Sequence, residues 1–308
     1  MPILEELLKC GSETLLKNGS QKTGKRMQAN EVLKLKSEKQ VIVHFAHANG
    51  FPAQSYAKLF AHLNDNIELI ALDKFAHNPE FPLNNNWENQ VDELIHFVEM
   101  KRAEINPDLP IVLVGHSFGA VISFLACCKK PALFSGLIML DPPLITGLAS
   151  WVFRFAKKGK LIDKITPAGK TKIRNTKWHH KTDLVQYFGQ RALFKNMDIE
   201  CIADYVSAVT HEHQGERMLH FDVQVEADIF RTIPANLHKQ YGKLNTPSYL
   251  ITGKYTEVCV EKLRNPFIKG NAKITHEAFD FGGHMFPLER PIEVASRLNT
   301  LIANMIAD

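Results

Sequence analysis

Ser117 sits in the stretch Gly115-His116-Ser117-Phe118-Gly119, directly after "IVLV" and directly before "AVISFLACC". A serine hydroxyl is a weak nucleophile until a neighbouring base takes its proton, so it does chemistry only where the chain exposes it and brings a base to it. The two glycines answer the first need. The G-x-S-x-G pattern marks a strained strand-to-helix turn whose helix passes so close to the strand that side chains at both glycine positions would collide. The same corner aims free backbone N–H groups at a developing negative charge. Five loosely specified positions recur by chance in ordinary loops; a buried strand before them and a helix after them are what distinguish an elbow.

Two other stretches carry complementary chemistry. Acyl transfer needs a second oxyanion donor, from a loop after an earlier strand, and the corner Asn49-Gly50-Phe51-Pro52 closes the apolar run 41–48. Its plain alternative is a turn, since Asn-Gly and Phe-Pro are common turn chemistry. In "FDFGGHMFPLERP", His284 follows two glycines at the end of the last predicted strand. Imidazole titrates near neutrality, which suits a general base. The chain order serine, acid, histidine places that base after the final strand, and this sets His284 apart from the other histidines.

The elements that must position these groups are legible as a rhythm. Short β-branched runs, "VIVHFAHA" (41–48), "IELIALD" (67–73), "IVLVG" (111–115) and "GLIMLD" (136–141), read as buried strands. Between them lie "AQSYAKLFAHL", the amphipathic 87–105 segment and "GAVISFLACC", which read as helices. A short helix and an edge strand near residues 31–36 are expected before them. From about Pro142 to Lys243 only helical patterns are found; strands return at 248–253 and 272–281, and a helix ends the chain. Alternation of this kind predicts a parallel sheet with helices on both faces.

At these residues the chain resembles the α/β-hydrolase superfamily, in particular its lipase, esterase and acyl-hydrolase members with a helical cap. The resemblance runs from about residue 40 to 305 and rests on Asn49 to Pro52, Gly115 to Gly119 and "GGHMFPLERP". It implies an α/β fold with a mostly parallel central sheet and an inserted all-helical cap: core at 1–144 and 244–308, cap at 145–243. It also implies Ser117 as nucleophile, His284 as base and the backbone amides of Phe51 and Phe118 as oxyanion donors, with no cofactor. Family members usually carry His-Gly where this chain has Asn49-Gly50, and His47 lies two positions earlier. Most relatives place the acid three residues beyond a glycine ending the penultimate strand, where this chain has Thr256, with Glu257 one residue late. Some lipases place it after the strand that follows the nucleophile helix, where "GLIMLDPPL" offers Asp141. Asp141 is therefore the first choice and Glu257 the alternative. The activity implied is hydrolysis of a carboxylic ester or thioester with an apolar acyl group. Rival readings are a carbon–carbon bond hydrolase with the same triad and a catalytically silent ligand-binding homologue.

Other chemistries find less support. His211 and His213 form H-x-H, with His179 and His180 upstream, but the downstream Asp-His that metal-dependent hydrolases pair with such a motif is missing, so no metal site is expected. No glycine-rich phosphate loop is present. The net charge of +4 over 308 residues hides a segregation. Residues 151–181 hold ten lysines and arginines against the single acid Asp163, so the remainder is net acidic. "ASWVFRFAKKGKL" interleaves aromatic and basic residues, a pattern that rests on an anionic membrane or meets the phosphates of an acyl-CoA, or that simply packs its apolar side while lysines stay solvated. Confinement of the charge to one stretch argues against nucleic acid. The amino terminus carries Glu5 and Glu6 where an export signal carries positive charge, no apolar run approaches bilayer length, and five cysteines do not suggest a disulfide framework, so a cytoplasmic location is expected.

Overall fold

The computed structural model describes residues 38–159 and 161–307. The helix and edge strand expected near residues 31–36 lie outside the described residues. The chain runs β1 (Val41–Ala46), α1 (Ala57–Phe60), β2 (Ile67–Ile70), α2 (Glu88–Ile105), β3 (Ile111–His116), α3 (Phe118–Lys129) and β4 (Gly136–Leu140). A long insertion then holds α4 (Gly147–Ala156), α5 (Ile162–Ile165), α6 (Ala168–Thr171), β5 (Lys177–His179), α7 (Leu184–Gly189), α8 (Ile199–Val209), β6 (Thr210–His213), β7 (Glu216–Leu219) and α9 (Val223–Arg231). The core resumes with β8 (Ser248–Thr252), α10 (Glu261–Lys269), β9 (Ile274–Ala278), α11 (Phe286–Glu289) and α12 (Pro291–Ala307).

Six strands form one sheet in the order β2-β1-β3-β4-β8-β9. Every neighbouring pair is parallel. The apolar runs are continuous because both faces are covered. Val41, Val43, Phe45, Val112, Val114, Ile138 and Leu140 face a core completed by Leu298, Leu301 and Ile302 of α12. Ile42, Ala46, Ile111, Leu113, Leu137 and Met139 face the other core, completed by α2, α3 and Phe267 of α10. Each fully buried aliphatic side chain contributes about 2 kcal/mol, so this alternation is what holds the sheet between its helices. The chain leaves β1 outward to β2 and returns across it to β3. At such a reversal the loops after the two strands diverge and leave a crevice beyond their carboxyl ends. Residues 47–52 and Ser117 emerge at that point.

Two expectations are corrected. The insertion is not all-helical, because β5, β7 and β6 form a three-stranded antiparallel sheet within it. These strands have three or four residues each and, Trp178 and Leu219 apart, are partly or fully exposed, so they lack the apolar alternation by which strands are read. The segment 53–63 is not one helix but a 3-10 turn, Ala53–Tyr56, followed by the single turn of α1. The break falls at Tyr56 (φ −104°, ψ 16°), whose side chain is drawn into the core.

Candidate active site

The strand-to-helix turn at Ser117 is built by close approach. A Cβ on Gly115 would lie 2.4 Å from the Gly119 carbonyl oxygen, and one on Gly119 would lie 2.0 Å from that of Ala46. No side chain fits either gap, so the glycines are what allow α3 to start directly above the carboxyl ends of β1 and β3. Ser117 itself takes φ 55° and ψ −116°, a region costing about 1–3 kcal/mol that persists only where the surroundings impose it. Here the surroundings are β3, α3 and a hydrogen bond from the Ser117 amide to the Leu140 carbonyl at 2.9 Å. Phe118 is the first residue of α3, so its amide has no intrahelical acceptor and is free to face a ligand oxygen.

Ser117 and His284 meet through space although 167 residues separate them, with Oγ 3.0 Å from Nε2. The other ring nitrogen, Nδ1, lies 2.7 Å from Oδ2 of Asp141. A carboxylate only accepts, so Nδ1 carries the proton and Nε2 is left to receive the one on Ser117. Asp141 is fully buried. It follows β4 with φ 45°, and its amide donates to the Ile251 carbonyl at 2.9 Å. The same Oδ2 accepts from the Thr256 hydroxyl at 2.6 Å. Thr256, standing where the acid was first sought, thus grips the carboxylate that His284 contacts. Glu257, the alternative acid, is exposed one residue further on and forms no hydrogen bond with His284.

The supporting roles of three residues escaped the sequence reading. The amide of Ala48 donates to the Tyr56 hydroxyl at 3.3 Å. That hydroxyl lies 2.7 Å from His116 Nδ1, and His116 Nε2 lies 2.9 Å from the His284 carbonyl oxygen. The carbonyl must accept, so His116 donates through Nε2 and takes the Tyr56 proton at Nδ1. Burial, then the neighbouring His284, holds His116 well below the usual imidazole range, which keeps it neutral and the chain intact. The loop after β1 is thereby tied to the backbone of His284. The third is Thr256, whose grip on Asp141 the sequence did not foretell. His116 had a visible signal in standing beside the serine, whereas Tyr56 had none.

The oxyanion corner differs from expectation. The Phe51 amide donates to the Ala48 carbonyl at 3.0 Å, closing a four-residue turn with Gly50 at φ 77°. It reaches a substrate oxygen only if that turn opens or shares its donor. Both polar side chains of the loop brace it. His47 lies with Nδ1 2.9 Å from the Ala48 carbonyl and Nε2 accepting from the Phe75 amide at 3.2 Å, and burial lowers it to about 4. Asn49 donates to the Glu226 carbonyl of α9 at 2.9 Å. The Phe51 ring packs between Phe194, 5.6 Å away, and Tyr205, 4.8 Å away. His211 and His213 lie exposed on β6 with ring centres 6.5 Å apart, and no group of three metal-binding side chains occurs among the described residues.

A serine held at the end of a central parallel strand, facing a histidine and an aspartate from loops beyond other strands, defines the α/β-hydrolase class. The model of the alpha/beta hydrolase family matches residues 42–297, and the chain belongs to that family. It is 24% identical over 224 residues to a monoglyceride lipase homolog of Monkeypox virus, covering 71% of this chain and 72% of that protein. It is 25% identical over 133 residues to the monoglyceride lipase of Mus musculus, covering 42% and 43% of the two chains. In fold it is similar to a peroxisomal alpha-beta-hydrolase from Saccharomyces cerevisiae, with a TM-score of 0.72 at 15% identity over 89% of this chain and 79% of the other.

Proposed function

We propose that this protein is a serine hydrolase that cleaves a carboxylic ester or thioester through an acyl-enzyme. The observation that carries the reading is the single line of contacts from Ser117 Oγ to His284 Nε2 at 3.0 Å and from His284 Nδ1 to the buried Asp141 at 2.7 Å. His284 takes the Ser117 proton as Oγ bonds to the carbonyl carbon, and Asp141 stabilises the resulting imidazolium. The oxyanion is received by the Phe118 amide at the start of α3, and by Phe51 once its turn opens. The tetrahedral adduct collapses, and His284 returns the proton to the departing alcohol or thiol. Water then attacks the acyl-serine with His284 again as base, releasing the acid. Likeness to monoglyceride lipases favours an ester, and the apolar surroundings of Phe51, with Phe188, Phe194 and Tyr205, favour an apolar acyl group.

A fluorophosphonate probe, with a chain-length series of chromogenic esters and acyl-CoAs, tests the reading. The wild type is expected to label and to turn over a mid- or long-chain substrate, and Ser117→Ala, folded by circular dichroism, to do neither. Equal labelling and equal rates in the two proteins would remove Ser117 as the nucleophile.

A further inference from the structure

A cleft of about 640 Å³ lies between α4, the turn at residues 85–87 and the segment after α9, lined in part by Trp151, Arg154, Phe155, Lys157, Lys158 and Lys239. The proposed ester chemistry uses none of these side chains. Arg231, also on its wall, is neutralised by Asp163 and Asp228 at 2.7 Å each. The other cations are different: among the described residues Arg154, Lys157, Lys158 and Lys239 form no ion pair. Lys157 Nζ is anchored on three neutral oxygens, Oδ1 of Asn85 at 2.8 Å, Oδ1 of Asn86 at 3.3 Å and the Thr232 carbonyl at 3.2 Å. An ammonium drawn out of water with no counter-charge is a costly arrangement that an anion relieves. The cost shows in its titration, which burial lowers to about 8.

The back wall of the cleft is strained and firmly held. Asn86 on that wall and Trp87, buried behind it, are consecutive non-glycine residues in the left-handed region at φ 62° and 60°. Asn86 is fixed by its amide on the Thr232 carbonyl at 2.8 Å, and Trp87 by its indole N–H on the Ile229 carbonyl at 3.0 Å. Strain of this kind gathers where a rigid shape serves a ligand. The front is aromatic and open. Arg154 lies 5.1 Å over the Trp151 ring and Lys158 5.7 Å over that of Phe155, and both rings are more than half exposed.

We propose that this cleft binds a phosphate-bearing group, with its oxygens received by Arg154, Lys158 and Lys239, the fixed charge of Lys157 beside them, and the rest of the ligand against Trp151 and Phe155. Several unpaired cations around one opening match a group with more than one negative charge and many acceptor oxygens, which a single carboxylate does not offer. The phosphate has two possible sources, a soluble phosphorylated molecule or a phospholipid headgroup. In the second case Leu148 and Val152, 80% and 50% exposed on α4, would enter the acyl layer beside it.

The test reads binding alone and so stands apart from the proposed catalysis. Inorganic pyrophosphate and, separately, citrate are titrated calorimetrically into the full chain, and the chain is co-sedimented with phosphatidylglycerol and with phosphatidylcholine vesicles. The proteins are the wild type, the Arg154→Gln/Lys158→Gln double variant, whose side chains are exposed, and Lys157→Met. Saturable pyrophosphate binding that weakens about tenfold in both variants supports the proposal with a soluble source. Salt-sensitive retention on phosphatidylglycerol alone, lost in the variants, supports it with a lipid source. The proposal is overturned if neither probe binds, if citrate binds as well as pyrophosphate, if the variants bind as the wild type does, or if both vesicle types retain the protein equally while pyrophosphate does not bind.

Discussion

The contacts of the proposed catalytic acid meet on one oxygen atom. Asp141 Oδ2 takes both the His284 N–H and the Thr256 hydroxyl, at 2.7 and 2.6 Å, so His284 and Thr256 converge on the same carboxylate oxygen and position 256 lies one hydrogen bond behind position 141. Replacing Asp141 by Asn removes the acceptor that fixes the tautomer, and kcat on a chromogenic ester is expected to fall about 10⁴-fold. Adding Thr256→Asp returns a carboxylate to that spot and is expected to recover at least about tenfold of the loss. A double variant no faster than Asp141→Asn alone would show that position 256 cannot present an acid to His284. Tyr56→Phe is a milder lesion, because it leaves the Ala48 amide and His116 Nδ1 unpartnered in a buried place. Its expected cost is about 1–3 kcal/mol, read from urea unfolding, with a lower kcat where the His284 backbone loses its brace.

Among the elements, β1 and α3 carry the strictest demands. Gly119→Ala puts a methyl group 2.0 Å from the Ala46 carbonyl oxygen, and neither backbone can yield without parting α3 from β1. Loss of soluble folded protein is the expected outcome, checked by expression and circular dichroism; a folded, active variant would contradict the close-approach account. β1 also buries His44, fully enclosed, with neither ring nitrogen hydrogen-bonded and edge-on contacts to Phe75 and Phe97. Burial, then nearby His47, lowers His44 to about 3. Its folded value lies below its unfolded one, so stability is unaffected above pH 6.5 and is lost as the unfolded state gains a proton below it. His44→Phe removes that proton uptake. Relative to wild type the variant is expected to gain about 1.4 kcal/mol per pH unit between pH 6.5 and 4, by denaturant unfolding at several pH values.

The insertion and the sheet are welded rather than hinged at this site. One hydrophobic cluster runs from Val43 and Phe45 of the sheet through Phe51 to Phe188, Phe194 and Tyr205 of the insertion. Lys58 bridges to Asp198 at 2.7 Å and Glu200 at 2.6 Å, and Arg174 meets Glu226 at 2.8 Å beside the loop that Asn49 anchors. The described residues from 38 to 307 accordingly form one compact unit. A single calorimetric transition is expected for them; two resolved transitions would show that the insertion melts independently. No helix among the described residues is long and apolar enough to cross a membrane.

Much of this was legible locally. Buried parallel strands need unbroken apolar runs, and an elbow needs glycine on both sides of its serine, so β1, β3, β4, β8 and the corner at Ser117 could be read from short windows. The small sheet of β5, β6 and β7 could not be read this way, since its polar strands bury little; its one cue was Gln214-Gly215 between His213 and Glu216, both central residues at positive φ in a hairpin turn. The meeting of Asp141, Thr256 and His284 was beyond any window. Asp141 stands 143 residues from His284 and 115 from Thr256. Only the side-by-side packing of β4, β8 and β9 brings the loops at their carboxyl ends together. Chemistry that depends on one residue's own turn is written along the chain, whereas a contact among three loops exists only after the sheet has ordered its strands.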